Sequence, residues 1–193
     1  SRLQFPDGRK PRIYSMVESH RGDILLGTAG YGLYSVKNNG IEKTANNRFT
    51  IRWERAYAER DSDVFFTHIY EDKHQYLWQS SHLSTFTRFI EKQGKVQRKD
   101  FKSPYGAPVA FIQHRPQAML IVCMYGIIYY DYRTGRIADA GYDLGTFKNH
   151  VTINNATFDH EGNLYISTSE HGALIIKKGS NKVEQLENSN SNF

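Results

Sequence analysis

The chain has 193 residues, 13% of them aromatic, with 25 basic against 20 acidic side chains for a net charge of +5. No run approaches the ~18–20 consecutive apolar residues of a membrane helix. The basic residues are interleaved with acidic ones and form no stripe of the kind that tracks a phosphate backbone, which argues against a nucleic-acid partner. A single cysteine, Cys123, rules out an internal disulfide and reads as a buried structural thiol.

In chain order, residues 1–11 hold an apolar triplet, Leu3-Gln4-Phe5, and a Pro6-Asp7-Gly8 turn signal. They read as a leading strand and turn, and the start without Met reads as that of an excised or processed piece. Ile13 to Lys37 then gives three short strands parted by turns that end at Gly22 and Gly32. Asn38-Asn39-Gly40 predicts a further turn and Ile41–Lys43 a short fourth strand, with Asn46–Trp53 available as a longer outer edge. Ala56 to Asp63 is the least regular segment, and it reads either as a loop or as one helical turn near Ala56–Asp61.

The same pattern returns three times. Phe66–Ser81 carries Asp72, Leu77 and Trp78 where Ile153–Lys177 carries Asp159, Leu164 and Tyr165, and Val109–Asp131 is one residue shorter in each turn. Each copy ends in a polar turn (Glu91–Gly94, Tyr132–Gly135, Lys178–Asn181) and a fourth strand (Lys95–Arg98, Arg136–Ala140, Lys182–Leu186). The anchors Ile24, Leu77, Met119 and Leu164 lie 53, 42 and 45 residues apart. Such spacing with four short strands per unit predicts an all-β fold, a β-propeller-type array of about four four-stranded antiparallel blades forming a partial or small propeller. The blades are placed at 12–53, 64–99, 108–140 and 152–186 within one cooperative segment, followed by a polar, frayed tail at 187–193.

Repetition puts equivalent loops at one end of the blades. The turn between second and third strands carries Tyr31 before Gly32, Tyr125 before Gly126 and His171 before Gly172, with His82 in the corresponding turn of blade 2. Rings so placed suit stacking on the C–H face of a sugar, and they equally suit covering a neighbouring blade. At the opposite end, Glu71-Asp72 and Asp159 read as turn caps, and no D-x-D-x-D run suggests calcium. Trp78 reads as blade-to-blade packing. The eight histidines show no H-x-x-x-H or H-E-x-x-H spacing, and no nucleophile elbow or phosphate loop occurs, so no catalytic residue, metal or cofactor is assigned.

The repeat resembles the regulator-propeller repeat of hybrid two-component sensor proteins, best known from gut Bacteroides. Ile13, Met16, Gly22, Ile24–Thr28, Gly32 and Leu33 fit that pattern, as do Ile69, Glu71, Asp72, Leu77 and Trp78, and Asp159, Gly162–Ile166 and Thr168. Blades 2 and 3 depart from it, with His74-Gln75 and Pro116-Gln117 in place of the turn glycine and Thr85-Phe86 in place of Gly-Leu. The resemblance implies a periplasmic, non-enzymatic sensor region of a transmembrane histidine kinase, often responding to glycan fragments. It implies about seven blades per ring, so this segment is expected to contact the remaining blades or to form a homodimer. The implied ligand is an oligosaccharide. The alternatives are a free-standing binding propeller for a protein or glycan, and a propeller lyase or lactonase, whose catalytic residues local motifs miss.

Overall fold

The computed structural model describes residues 12–29, 32–43, 49–55, 66–93, 95–147 and 151–186. Among the described residues it is all-β apart from one 3₁₀ turn, with sixteen strands in four antiparallel sheets of four. Each sheet is a propeller blade whose strands follow one another in chain order. Two compact units divide the chain at 102/103, and each holds two blades.

In the first unit, blade 1 comprises β1 (Arg12–Glu18), β2 (Ile24–Ala29), β3 (Leu33–Lys43) and β4 (Phe49–Arg55). Blade 2 comprises β5 (His68–Glu71), β6 (Leu77–Ser80), β7 (Thr85–Lys92) and β8 (Lys95–Lys102). Leu25, Leu33, Phe66, Ile69, Leu77 and Phe89 form the core between them, with Val17 packed against it. Burying side chains of this size contributes about 1.5–3 kcal/mol each. A backbone bond locks the blades together, Phe66 N–H donating to the Thr28 carbonyl at 3.0 Å. The β1–β2 turn adds polar contacts, His20 bonding Glu71 through both its backbone N–H and its ring, and Arg21 pairing with Glu91 at 2.9 Å.

The second unit repeats the plan. Blade 3 comprises β9 (Pro108–Arg115), β10 (Ala118–Cys123), β11 (Gly126–Asp131) and β12 (Arg136–Asp139). Blade 4 comprises β13 (Ile153–Phe158), β14 (Leu164–Thr168), β15 (Ala173–Ile176) and β16 (Val183–Gln185). Leu120, Val122, Ile153, Leu164, Ile166 and Leu174 sit at the centre of a larger core. The corresponding lock runs from Ile153 N–H to the Met124 carbonyl at 2.8 Å. The connection between the blades carries the 3₁₀ turn, Gly145–Phe147, and joins blade 4 by one parallel bridge between Asp143 and Lys182.

Three blades build the turn after their first strand in the same way. The backbone N–H of Ser19, Asp72 and Asp159 donates to the carbonyl four residues on, and the N–H three residues on, at Gly22, Gln75 and Gly162, donates back. That third position has φ of 76° at Gly22, 91° at Gly162 and 61° at Gln75. Blade 2 thus keeps the left-handed backbone without the glycine that relieves it. Replacing the exposed Gln75 with Gly is expected to stabilise the protein by about 0.5–1 kcal/mol, read as a higher urea midpoint with an unchanged slope. A lower midpoint would show that the glutamine side chain makes up for its backbone.

Blade 1 differs from the expectation at its outer edge. The Asn38-Asn39-Gly40 signal makes no turn; β3 runs through it to Lys43, and Phe49–Arg55 is the fourth strand in place of Ile41–Lys43. The reason is a register shift between Val36 and Ile41, where β3 accommodates extra residues and stays paired to β4 on either side. The expected helical turn near Ala56–Asp61, the leading strand at Leu3–Phe5 and the tail at 187–193 lie outside the described residues. Trp78 is fully buried, but its described ring neighbours, Phe86 and Phe101, belong to its own blade.

Cys123 is the buried thiol the sequence suggested. Burial pushes its pKa up to about 11, opposed by the Ser103 hydroxyl, which donates to Sγ at 3.1 Å. With the thiolate so disfavoured, iodoacetamide at pH 8 is expected to leave Cys123 unmodified in the folded protein and to alkylate it fully in denaturant, as read by intact mass. Rapid labelling of the folded chain would contradict this burial.

Candidate functional site

A surface cleft lies at one end of blade 3, where β9 starts, β10 turns into β11 and β12 ends. The loop before β9 runs alongside the β10–β11 turn, with Tyr125 N–H donating to the Tyr105 carbonyl and Met124 N–H to the Ala107 carbonyl, each at 3.0 Å. The two strands of this ladder each offer a Tyr-Gly pair, and the pairs interlock. A Cβ on Gly126 would meet Tyr105 Cγ at 2.6 Å, and one on Gly106 would meet Tyr125 Cδ2 at 3.0 Å. Each ring therefore lies against the other pair's glycine, closer than a Cβ allows at Gly126 and tightly enough at Gly106 that the Tyr125 ring would have to give way. Gly106 has the further requirement of a φ of +79°.

Polar groups then fix one ring and line the floor. The Tyr105 hydroxyl donates to Asp139 Oδ2, and this bond raises the Tyr105 pKa above the ordinary phenol value. Asp139 Oδ1 accepts from Gly141 N–H at 2.6 Å, so the carboxylate is oriented by the chain as well as by the phenol. Asp143 Oδ1 accepts from Gly145 N–H at 2.9 Å, while the Asp143 backbone is held by the bridge to blade 4. Tyr105, Tyr125, Ile127, Asp139, Tyr142 and Asp143 enclose a cleft of about 280 Å³. Tyr125 remains 50% exposed at its rim. Among the described residues, no lysine, arginine or histidine lines this cleft, and no serine, threonine or cysteine hydroxyl or thiol does. Its side chains can bind and orient a ligand by ring contact and carboxylate acceptors.

A second, larger groove of about 1030 Å³ runs between blades 3 and 4 towards their opposite end, bordered by Arg115, Tyr129, Glu161 and Lys178. Tyr142 lines both clefts. Burial raises the Tyr142 pKa, and the nearby Arg115 charge opposes that rise.

The four ring residues picked out from the repeat separate in the structure. Tyr31 lies outside the described residues. Tyr125 is in the blade 3 cleft, whereas neither cleft includes His82 or His171. His171 packs edge-on against Phe147 at 5.1 Å, and its backbone is engaged by Thr168 Oγ1 and Gln185. His82 is exposed and meets Tyr14 edge-on at 6.0 Å. His171 thus packs on the connection between blades 3 and 4. Nearby, His68 Nδ1 lies 3.3 Å from the Ser80 hydroxyl, but Ser80 is fully buried and also bonded to Thr67, which suits a structural contact. Burial, then the His82 charge, lowers the His68 pKa. Among the described residues no group of three or more His, Cys, Asp or Glu is placed to hold a metal ion. The caps expected at the other end are present, Asp72 and Asp159 each accepting from the backbone of their own turn.

Tyr105, Tyr142 and Asp143 escaped the sequence reading because they come from the connections flanking blade 3, which the repeat does not cover, and Asp139 because it closes a fourth strand with no recurring residue at that place. A signal was there in the recurrence of adjacent tyrosine and glycine at 105–106, 125–126 and 141–142.

The sheets and their order define the chain as β-propeller blades. No protein-family description and no curated protein matches its sequence. Solved structures do match its fold. The extracellular domain of the putative one component system BT4673 from B. thetaiotaomicron aligns with a TM-score of 0.69 at 12% identity, over 99% of this chain and 24% of that one. The extracellular domain of the putative hybrid two component system BT3049 from the same organism aligns at 0.60 and 12% identity, over 88% and 20%. Virginiamycin B lyase from Staphylococcus aureus, solved as a catalytically inactive variant with Quinupristin, aligns at 0.65 and 17% identity, over 95% and 57%. The chain thus spans between a fifth and somewhat over half of each of these proteins. At such identities the likeness is one of fold.

Proposed function

We propose that this chain is a ligand-recognition segment of a two-component-type sensor propeller, acting outside the cytoplasm, and that it binds an oligosaccharide in the Tyr105–Tyr125 cleft without chemically altering it. The observation that carries this reading is the pair of tyrosine rings seated on Gly126 and Gly106 beside two carboxylates. Rigid aromatic faces accept the C–H face of a sugar, and carboxylates accept its hydroxyl protons. The repeat resemblance and the fold likeness to extracellular domains of Bacteroides sensors support the sensor context.

The test is calorimetric titration with a panel of tetrasaccharides. Tyr125→Ala is expected to weaken binding about tenfold, the loss of a ring contact worth ~1–1.5 kcal/mol, with little change in Tm because half the ring is already in solvent. His171→Ala and His82→Ala are expected to leave binding unchanged. Undiminished binding by Tyr125→Ala would move the site elsewhere. A parent reading frame that continues into a membrane helix and a histidine kinase is the expected genetic context, and a parent without either would overturn the sensor assignment.

A further inference from the structure

The charge of the cleft restricts what it can hold. Its described lining includes two carboxylates and three phenol rings, from Tyr105, Tyr125 and Tyr142, and no cationic side chain. A uronate or sulfated sugar entering this space would bring like charge against Asp139 and Asp143, which costs binding energy that no described side chain of the lining offsets. An ammonium group meets the opposite situation. It is attracted by the faces of aromatic rings within about 6 Å and forms charge-assisted hydrogen bonds with carboxylates.

The two carboxylates are not equivalent. Asp139 has both oxygens engaged, by the Tyr105 hydroxyl and by Gly141 N–H. It therefore acts chiefly to hold the Tyr105 ring on Gly126. Asp143 has one described side-chain bond, Oδ1 to Gly145 N–H, and its backbone is fixed on both sides, N–H to the Asn181 carbonyl at 2.7 Å and carbonyl to Val183 N–H at 3.2 Å. This is a carboxylate on a clamped backbone with further acceptor capacity, beside exposed aromatic surface.

We propose that the cleft selects sugars carrying a free amine, as in glucosamine-type oligosaccharides, with Asp143 the residue that sets this preference. The inference rests on the oligosaccharide reading of the same cleft and narrows it to one chemical class.

The experiment titrates the whole chain with three tetrasaccharides of matched length: a glucosamine tetramer, its fully N-acetylated form, and a galacturonate tetramer. The glucosamine tetramer is expected to bind at least ~fivefold tighter than the acetylated one, with the difference shrinking as salt is raised, and the galacturonate tetramer is expected not to bind. Asp143→Asn keeps an acceptor for Gly145 N–H while removing the charge. It is expected to bring the glucosamine tetramer down to the affinity of the acetylated one and to leave the latter unchanged. Tyr125→Ala is expected to weaken both. Equal binding of the two tetramers, or a preference that survives Asp143→Asn, overturns the amine selectivity and leaves oligosaccharide recognition standing. Absence of binding by all three overturns both.

Discussion

Asp72→Ala is expected to lower the unfolding free energy by about 3 kcal/mol, a large share of the ~5–15 kcal/mol typical of a folded domain. The carboxylate is only 4% exposed and serves three donors. His74 N–H and Tyr76 N–H reach Oδ1 at 2.8 and 3.0 Å, and the indole N–H of Trp78 reaches Oδ2 at 2.7 Å. Truncation leaves the indole N–H without that acceptor inside a ring cluster where Phe86 and Phe101 stack at 5.2 Å, and no water replaces it there. The two amides sit at a turn and recover part of their loss from solvent. Ser19→Ala makes a direct comparison, since the Ser19 hydroxyl caps the equivalent turn of blade 1 through Arg21 and Asp23 at 3.3 and 3.2 Å. No buried donor depends on it, and its loss is expected to cost about 1 kcal/mol. Equal destabilisation of the two variants in urea titrations would show that the indole bond contributes nothing beyond capping.

Gly27→Ala is the second substitution with a large expected effect, a loss of about 3 kcal/mol. The added Cβ would stand 2.6 Å from Ser15 Oγ and 2.8 Å from the Phe66 carbonyl oxygen. Ser15 can be shortened, but Phe66 cannot retreat easily, because its side chain is fully buried and its N–H donates to the Thr28 carbonyl. The double variant Ser15→Gly with Gly27→Ala therefore separates the two clashes. It is expected to recover less than half of the loss in thermal unfolding, and full recovery would place the strain on the serine alone.

Gly27 also marks where repetition stops being informative. At the same position of the repeat stand Ser80 and Ser167, so the sequence alone suggests a site tolerant of a side chain. In blade 1 the Phe66 carbonyl approaches this position closely. The periodic features were legible because alternation and turn glycines recur with the blade, which yielded the all-β fold, the four sheets and the capping aspartates. Features with no periodic signature were not. The positive φ of Gln75 is hidden because the residue that signals it is missing. The fourth strand of blade 1 was displaced by a turn signal at Asn38-Asn39-Gly40 that the paired backbone absorbs as an irregularity. The cleft was half legible. Tyr125 follows from its place before a blade glycine, whereas Tyr105 and Asp143 reach it from connections that fold back onto the sheet end, and Asp139 from the last residue of β12.

The Asp72–Trp78 bond has an optical consequence. The chain holds only two tryptophans, Trp53 and Trp78. The indole of Trp78 has no solvent exposure and lies against two phenylalanine rings, with the Arg88 guanidinium carbon 5.9 Å from its centre. An indole in such surroundings emits at shorter wavelength than one in water and is shielded from collisional quenchers. Replacing Trp53 with Phe leaves a single emitter whose colour reports whether blade 2 is closed around its aspartate. The protein thereby carries a built-in gauge of blade integrity, readable during ligand titration without any attached dye.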